Sequence, residues 1–295
     1  MADCTSTEKV LDELLELLKL EKIEENIFRG QSQDLGFGNI FGGQVLGQSL
    51  SAATQTVNGG RSVHSLHGYF LWPGDPALPI VYEVDCIRDG KSFTTRRVKA
   101  VQKGRAIFSL SASFHRDETG FEHQAEMPET PDPETLTSQV EMTRKIQHLI
   151  PESIRAQLTC DRPIDIRPVD PINPFAPDKR PPHRQLWFRS LGPVRADDPS
   201  VHRYMLAYAS DFGLAATALY PHGHTFFEPT MQMASLDHAL WFHRDFRIDD
   251  WLLYTMESPS ASHSLGMSRG MVFTKEGTLV ATVCQESLIR YRPRK

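Results

Sequence analysis

The sequence predicts an α+β protein made of two similar halves, each a helix followed by an antiparallel sheet. Two stretches, residues 41–57 and 205–220, are rich in small and apolar side chains, which lets a helix lie close to a sheet that wraps around it. Each stretch is followed by several strand-like runs with turn residues between them. A proline-rich segment separates the two series. We therefore expect a tandem duplication of one helix-plus-sheet unit, with the two sheets joined.

The composition is that of a mildly acidic globular protein. The chain has 295 residues, 40% of them hydrophobic and 23% charged, with a formal net charge of -5. This length can accommodate two domains of ordinary size. Because acidic residues outnumber Lys and Arg, the composition does not indicate a nucleic-acid partner, and we expect the one basic run, Arg290–Lys295, to be solvated.

The spacing of the cysteines and the absence of a long apolar run predict the cellular compartment of the protein. Cys4, Cys86, Cys160 and Cys284 are far apart in sequence, which is typical neither of a zinc knuckle nor of a disulfide framework. No apolar run reaches the length of a membrane span, and acidic residues interrupt the N-terminal leucines, unlike a signal or transit peptide. We therefore predict a protein of the reducing cytoplasm.

The first half begins with an amphipathic helix over residues 5–20, with a capping box predicted between Thr5 and Glu8. The small-residue helix at 41–57 follows and is opened by Gly42 and Gly43. Four strands are then predicted at Ser62–Trp72, Ile80–Ile87, Ser92–Gln102 and Ala106–His115. Lys103-Gly104-Arg105 is typical of a hairpin turn, so these strands are predicted to form an antiparallel meander.

The segment from 121 to 183 differs in character, since 11 of the 20 prolines lie between Pro128 and Pro182. Such a density of proline prevents long regular elements, except for a helix predicted over Glu134–Ile150. Apolar residues such as Ile164 and Ile166 favour an ordered connector over a disordered linker. The predicted division is therefore residues 1–120, a connector at 121–183, and residues 184–295.

The second half repeats the plan of the first. A strand at Arg184–Leu191 precedes the helix at 205–220. Further strands are predicted at Met231–Trp241, Trp251–Met256, Ser264–Thr274 and Thr278–Arg290. Lys275-Glu276-Gly277 occupies the hairpin position that Lys103-Gly104-Arg105 has in the first half, so the order of elements supports the duplication.

Asp211 is a carboxylate in the middle of the apolar helix at 205–220. A buried ionised carboxylate costs several kcal/mol unless a partner or hydrogen-bond donors compensate, so the residue has either a structural or a functional role. Ser235 and Gln285 also interrupt apolar runs. A carboxylate, a hydroxyl and an amide can together orient one water molecule while the carboxylate accepts its proton. The spacing of the three residues alone does not bring them together.

Other chemistries have less support in the sequence. The glycine pairs fit neither phosphate-loop spacing, and no GxSxG nucleophile motif is present. His222, His224, His238 and His243 lack the pattern of a recognised metal site, so no metal is predicted. His64 and His67 are three residues apart on a strand and are predicted to face opposite sides, with a structural role favoured over one in a cleft.

Ordered motifs over both halves resemble the acyl-CoA thioesterase II family. They include LEKIEENIFRGQSQDLG, FGGQVLGQ, VHSLHGYFLWPGD, RDGKSFTTRRV, YASDFGL, SLDHALWFHRDF and LVATVCQE. The resemblance implies a double hotdog, in which two antiparallel sheets each wrap a helix and join into one continuous sheet. It also implies hydrolysis of acyl-CoA thioesters without a cofactor, and a homodimer or homotetramer.

The resemblance assigns roles to particular residues. The family's Asp, Thr and Gln fall on Asp211, Ser235 and Gln285, and Ser235 departs from the more frequent Thr. These residues would hold the attacking water, and the N–H groups of Gly42 and Gly43 would hold the oxyanion. The remaining candidates for substrate binding are His64 and, for the coenzyme A phosphates, Lys91, Arg96 and Arg97.

Two alternatives to thioester hydrolysis remain at this point. The hotdog fold also hosts hydratases and dehydratases, which need a His beside an Asp or Glu, and no histidine accompanies Asp211 in its predicted helix. The other alternative is a non-catalytic acyl-CoA binding module, which would bind the thioester without releasing a thiol.

Overall fold

The computed structural model describes residues 7–36, 38–150, 152–195 and 198–292. Thr5 of the predicted capping box and the last residues of the basic run, 293–295, lie outside these ranges. Cys86, Cys160 and Cys284, which lie inside them, are free. Within the described ranges, no helix combines the length and apolar character that crossing a membrane requires.

Thirteen strands in the described residues form one sheet, in which every pair is antiparallel. The first half contributes β1 (Glu21–Glu24), β2 (Ile27–Gly30), β3 (Arg61–Phe70), β4 (Ile80–Asp89), β5 (Phe93–Gln102) and β6 (Arg105–Arg116). The second contributes β7 (Ile164–Pro168), β8 (His183–Ser190), β9 (Met231–Ser235), β10 (Asp237–Phe242), β11 (Leu252–Ser262), β12 (Leu265–Thr274) and β13 (Leu279–Tyr291).

Six α-helices lie in the described part of the chain. They are α1 (Thr7–Leu18), α2 (Gly42–Thr54), α3 (Gln139–Lys145), α4 (Glu152–Thr159), α5 (Ser200–Ala209) and α6 (Leu214–Thr217). Single 3₁₀ turns occur at Pro133–Thr135, Gln147–Leu149 and Tyr220–His222.

The strand order confirms the predicted double hotdog. From the centre outwards, the first half runs β3, β6, β5, β4, β2, β1 and the second runs β10, β13, β12, β11, β8, β7. The two series match strand for strand and meet where β3 pairs with β10, with Leu66 opposite Leu240. Because this junction is itself a hydrogen-bonded pair, the two halves share one continuous sheet.

Helices α2 and α5 pack against each other through glycines. A Cβ added at Gly43 would overlap the carbonyl oxygen of Tyr208, and one at Gly47 would stand 3.0 Å from that of Tyr204. Larger residues would force the two helices apart, which is the physical reason for the small-residue stretch at 41–57. The approach brings the first turn of α2 beside the end of α5.

The prediction of one continuous helix over 205–220 is wrong. Helix α5 begins earlier, at Ser200, and ends at Ala209, and α6 starts only at Leu214. Gly213 adopts a left-handed conformation with φ of 79°, which an α-helix cannot contain. Asp211 therefore lies in a break between two helices, where its side chain is not confined to one helical face.

The prediction of a single strand over Met231–Trp241 is also wrong, because the chain is interrupted at Leu236. The Leu236 N–H donates to the carbonyl oxygen of Glu286, and the Glu286 N–H donates to the carboxylate of Asp237 at 2.8 Å. A side chain thus replaces one bond of the β10–β13 ladder. The irregularity puts Ser235 and His238 on the same side of the sheet, although their spacing would place them on opposite sides of a regular strand.

The connector is ordered and partly joins the sheet. Strand β7 pairs with β8 as the last strand of the second half, and Ile164 on it is buried. The predicted helix at Glu134–Ile150 shortens to α3, which begins with a capping box formed by Ser138 and Glu141. Four elements, α4, β1, β2 and β7, were not predicted. The division at residues 120 and 183 stays a prediction.

Candidate active site

Asp211, Ser235 and Gln285 lie in one hydrogen-bonded chain. The Ser235 hydroxyl donates to Oδ1 of Asp211 at 3.3 Å, and Nε2 of Gln285 donates to the Ser235 oxygen at 2.9 Å. The three side chains come from the break between α5 and α6, from β9 and from β13. Both donors in this chain point towards the carboxylate, as an ionised acceptor requires.

The first turn of α2 forms another wall of the site. A Cβ at Gly42 would stand 2.6 Å from Oδ2 of Asp211, and the N–H of Gly43 lies close enough to the same carboxylate to oppose the rise in its pKa. Phe41, just before these glycines, stacks on Phe212 with ring centroids 4.6 Å apart. Since the first N–H groups of a helix have no partner within it, the helix start directs positive partial charge at Asp211.

The pKa of Asp211 is raised above that of a free aspartate. Burial among the helices and strands is the main cause, and it is opposed by His238 and then by the nearby donor groups of Ser235, Gly43 and Gln285. Asp211 as a whole residue is half-buried. A raised pKa makes Asp211 a stronger base than an exposed aspartate, which suits acceptance of a proton from water.

His238 on β10 belongs to the site, although the sequence suggested it only as a possible metal ligand. Its Nδ1 lies 2.6 Å from Oε1 of Gln285, and its Nε2 lies 2.9 Å from the Ser210 hydroxyl. The ring is fully buried. His238 alternates with Leu240 and Phe242 along the strand, and this alternation was the signal that it faces the interior.

Burial also lowers the pKa of His238, although the charge of Asp211 opposes the shift. The imidazole is therefore neutral near pH 7 and carries one proton. With the Gln285 carboxamide oriented so that its NH₂ faces Ser235 and Ser287, its carbonyl oxygen faces Nδ1, and because this oxygen can only accept, we assign the proton to Nδ1. The Ser210 hydroxyl lies 2.9 Å from both Nε2 and the carbonyl oxygen of Ala207, and in this tautomer its proton is directed at Nε2.

Tyr254 on β11 is hydrogen-bonded to the backbone just before the break between α5 and α6. Its hydroxyl donates to the carbonyl oxygen of Ser210 at 3.0 Å, and burial raises its pKa, so it remains a donor. Ser210 directly precedes Asp211 in the chain. The residue that orients the imidazole is thus covalently attached to the residue that carries the carboxylate.

Comparisons with known proteins identify the family. Residues 153–288 match the family described as acyl-CoA thioesterase, and residues 31–115 match the acyl-CoA thioesterase N-terminal domain. The chain is 43% identical over 282 residues to acyl-CoA thioesterase 2 of Haemophilus influenzae, covering 96% of this chain and 98% of that protein. The chain belongs to the acyl-CoA thioesterase family.

Two further proteins are similar to this thioesterase over most of its length. It is 38% identical to human acyl-coenzyme A thioesterase 8, over 94% of this chain and 88% of that protein. The crystal structure of acyl-CoA thioesterase II TesB2 from Mycobacterium marinum superposes with a TM-score of 0.77 at 42% identity, covering 94% of this chain and 98% of that one.

Arg96 does not have the role that the sequence suggested for it in this thioesterase. Its side chain is 3% exposed, and all five of its N–H groups face oxygen atoms of the protein. These acceptors are the Thr56 hydroxyl and carbonyl, the Arg88 and Thr95 carbonyls and the Asp89 carboxylate. Arg96 therefore holds the end of α2 to the β4–β5 hairpin, and we withdraw it as a phosphate ligand.

The other predicted cations lie on the surface. Arg97 is half-exposed and pairs with Asp85 at 2.6 Å, and Lys91 is exposed in the turn between β4 and β5. Both could reach an anion in solvent, and their contact with coenzyme A stays a prediction.

His64 lies on the opposite face of the sheet from Gln285. Its Nε2 is 2.8 Å from the Ser113 hydroxyl, and a bulge between Val63 and Ser65 turns it to the same face as His67. The prediction that the two histidines face opposite sides is therefore wrong, since a bulge adds one residue to the alternation. Burial and then the neighbouring His115 lower the pKa of His64.

Three of the four histidines of the metal hypothesis have separate side-chain partners in the structure. His224 bonds to Glu228 at 2.8 Å, and His243 bonds to the Thr282 hydroxyl at 2.8 Å. His238 is occupied by Gln285 and Ser210, as described above.

Proposed function

We propose that this chain hydrolyses acyl-CoA thioesters to a free fatty acid and coenzyme A by direct attack of water, without a covalent intermediate. The observation that carries the proposal is the chain of donors from Gln285 through Ser235 to Asp211, which ends on a carboxylate of raised pKa. Such an arrangement can hold one water and remove its proton.

The residues would act in sequence. The water oxygen attacks the thioester carbonyl carbon while its proton passes to Asp211. N–H groups in the first turn of α2, those of Gly42 and Gly43, would stabilise the negative charge on the carbonyl oxygen. The carbon–sulfur bond then breaks, and Asp211 returns the proton to the leaving thiolate of coenzyme A. Each group ends in its starting state, so no cofactor is required.

The hydroxyl of Ser235 is assigned to water positioning and not to nucleophilic attack. Its proton is directed at Asp211, but its oxygen accepts from Gln285, which withdraws electron density from the atom that would have to attack. A nucleophilic serine normally faces a histidine base, and His238 bonds to Gln285 and Ser210 instead.

The structure places a histidine, His238, near Asp211, as a hydratase would need, but this histidine cannot reach a substrate. Both ring nitrogens of His238 are engaged within the protein, and the fully buried ring exposes neither to a substrate. Proton transfer at the acyl chain would need a free ring nitrogen. This observation favours hydrolysis over hydration.

The test is thiol release from acyl-CoA of increasing chain length, with Asp211→Asn as the comparison. We expect turnover by the wild type and a loss of about 10²- to 10⁴-fold in the variant, the usual contribution of a general base. Thioester-dependent thiol release that persists in Asp211→Asn would overturn the mechanism. Binding of palmitoyl-CoA without thiol release would indicate a binding module, and a change in enoyl-CoA absorbance without thiol would indicate a hydratase.

The assembly and location are proposed on the same basis. We propose a homodimer or homotetramer in the cytoplasm, with acyl-CoA as substrate and no nucleic-acid partner. Light scattering on the purified protein would give the mass, and a monomer at micromolar concentration would contradict the proposed assembly.

A further inference from the structure

The carboxamide of Gln285 must be held in one of two orientations. Oxygen and nitrogen in this group have nearly the same shape, so packing alone does not distinguish the group from its form rotated by 180°. In the observed orientation the NH₂ donates to Ser235 at 2.9 Å and to Ser287 at 3.1 Å. Rotation would put the carbonyl oxygen against Ser235, and the Ser235 proton would then be drawn away from Asp211.

The contact between His238 and Gln285 distinguishes the two orientations. Nδ1 of His238 lies 2.6 Å from the carbonyl oxygen, and in the tautomer assigned above its N–H donates to that oxygen, where a rotated carboxamide would present a second donor. Both residues are buried, with His238 0% and Gln285 1% exposed, so solvent does not compensate for a donor facing a donor.

The imidazole of His238 is in turn held by Ser210, the residue directly before Asp211. Nε2 lies 2.9 Å from the hydroxyl of Ser210, and Ser210 is tied to β11 through the hydroxyl of Tyr254. The result is a closed ring of contacts in which Asp211, Ser235, Gln285, His238 and Ser210 follow one another. A shift of the ring of His238 would move both Gln285 and the residue before Asp211.

We infer that His238 is a positioning residue, whose Nδ1–H fixes the Gln285 carboxamide with its NH₂ towards Ser235 and so keeps the donor chain directed at Asp211. The inference rests on the proposed function, because His238 can affect turnover through Gln285 only if Gln285 takes part in holding the attacking water. The charged groups nearest the ring, Asp211 and Asp237, both favour its protonated form, while burial favours the neutral one. Nδ1 carries its proton in both forms, so the orienting contact persists when His238 titrates.

Three substitutions of His238 test this assignment, each first checked for fold by circular dichroism and thermal melting. His238→Leu removes the donor, and we expect kcat to fall about tenfold to a hundredfold with little change in KM, as when a buried acceptor loses its partner. His238→Asn places an amide N–H near the former Nδ1 and is expected to restore kcat to within about threefold of wild type. His238→Gln extends one bond further, resembles Nε2 instead, and is expected to remain impaired.

The matched control is His243→Leu. His243, the residue directly after β10, also bonds to β13, through the Thr282 hydroxyl at 2.8 Å, but it is exposed and has no contact with the Asp211–Ser235–Gln285 chain among the hydrogen bonds of the described residues. We expect wild-type kcat and KM from this variant. An equal loss of kcat in His243→Leu and His238→Leu would show that any histidine between these strands matters, and would overturn the inference.

A double-mutant cycle separates positioning from a structural effect. If His238 acts through Gln285, then Gln285→Ala and the double variant with His238→Leu have the same kcat. Multiplicative losses in the double variant, or wild-type kcat in His238→Leu, would overturn the inference. Asp211→Asn tests the proposed function separately, because it should lose turnover whether or not His238 is a positioning residue. Failure of the proposed function is therefore distinguishable from failure of the inference about His238.

If His238→Leu does not fold, the comparison of His238→Asn with His238→Gln tests the inference instead. Equal kcat in these two variants would overturn it.

Discussion

Gly42 lies so close to Asp211 that a Cβ added to the glycine would stand 2.6 Å from Oδ2 of the carboxylate. The same Cβ would stand 3.0 Å from the ring of Phe70. The start of α2 and the break between α5 and α6 therefore meet without room for a methyl group. This contact fixes the distance between the helix start that would hold the oxyanion and the carboxylate that would activate the water.

Gly42→Ala is expected to reduce kcat by about tenfold or more, because the methyl group must displace Asp211 or the helix start, and small displacements of reacting groups have large effects. Thiol release measures the loss. Gly120→Ala is the matched control, since a Cβ there meets nothing within 4 Å. Unchanged kcat in Gly42→Ala would mean that the carboxylate can move without consequence, contrary to the proposed geometry.

The pH dependence of turnover is expected to follow Asp211. Only the ionised carboxylate can accept a proton from water, so kcat/KM should fall towards acid pH. Because burial raises the pKa of Asp211, the midpoint of this fall should lie above the pKa of a free aspartate. A pH–rate profile measures it. An acid limb at or below the ordinary aspartate value would contradict the assignment of Asp211 as the base.

The same shift predicts that Asp211 lowers stability at neutral pH. Between the unfolded pKa and the raised folded pKa, the folded state binds the proton more tightly, so the free energy of unfolding falls as pH rises through this window. Asp211→Asn removes the ionisation. We expect its Tm to exceed that of wild type at about pH 7.5 and to approach it at about pH 4.

Asp12→Asn serves as the comparison for this stability effect, because it replaces an exposed carboxylate on α1. Its Tm should follow wild type over the same range. If Asp211→Asn is less stable than wild type at neutral pH, then the hydrogen bonds to the carboxylate outweigh its burial, and the predicted sign is wrong.

Ser235 offers a test of the role of its hydroxyl. Ser235→Thr keeps donor and acceptor and adds a methyl that restricts the rotamer, so kcat should stay within about threefold of wild type. Ser235→Ala removes one of the groups that hold the water, and we expect a loss of about tenfold to a hundredfold with turnover still measurable. Complete loss in Ser235→Ala together with trapping of an acyl-enzyme would indicate a covalent route.

Arg96 and Arg97 are adjacent residues with different expected roles. Arg96→Gln breaks a buried set of charge-assisted hydrogen bonds and should lower the free energy of unfolding by about 2–3 kcal/mol, with KM for acyl-CoA unchanged. Arg97→Gln removes an exposed pair with Asp85 and should change stability by less than about 1 kcal/mol. Chemical denaturation and steady-state kinetics measure both. A rise in KM with unaltered stability in Arg96→Gln would restore Arg96 as a phosphate ligand.

Much of the fold could be read from the sequence, because hairpins and sheet strands leave local signals. Lys103 and Gly104 have positive φ values of 50° and 72°, as expected for the predicted hairpin between β5 and β6. Gly277 has a φ of 93° in the corresponding hairpin of the second half. Elements with weaker local signals were missed, among them the short outer strands β1, β2 and β7. Strands of four or five residues are too short for a clear alternation, and β2 is held in the sheet by β4, which is distant in the chain.

By itself the sequence determined the repeated helix-plus-sheet plan, the family resemblance, and the three polar residues that stand out in apolar surroundings. Only the tertiary structure decided that Asp211 lies in a helix break at Gly213, that Arg96 is buried, and that the interruption at Leu236 turns Ser235 and His238 to the same side. Periodicity describes a regular element, whereas each of these features is an irregularity stabilised by contacts between distant segments. The donor that orients Gln285 is therefore set by how β10, β13 and the end of α5 meet, and not by any local pattern of residues.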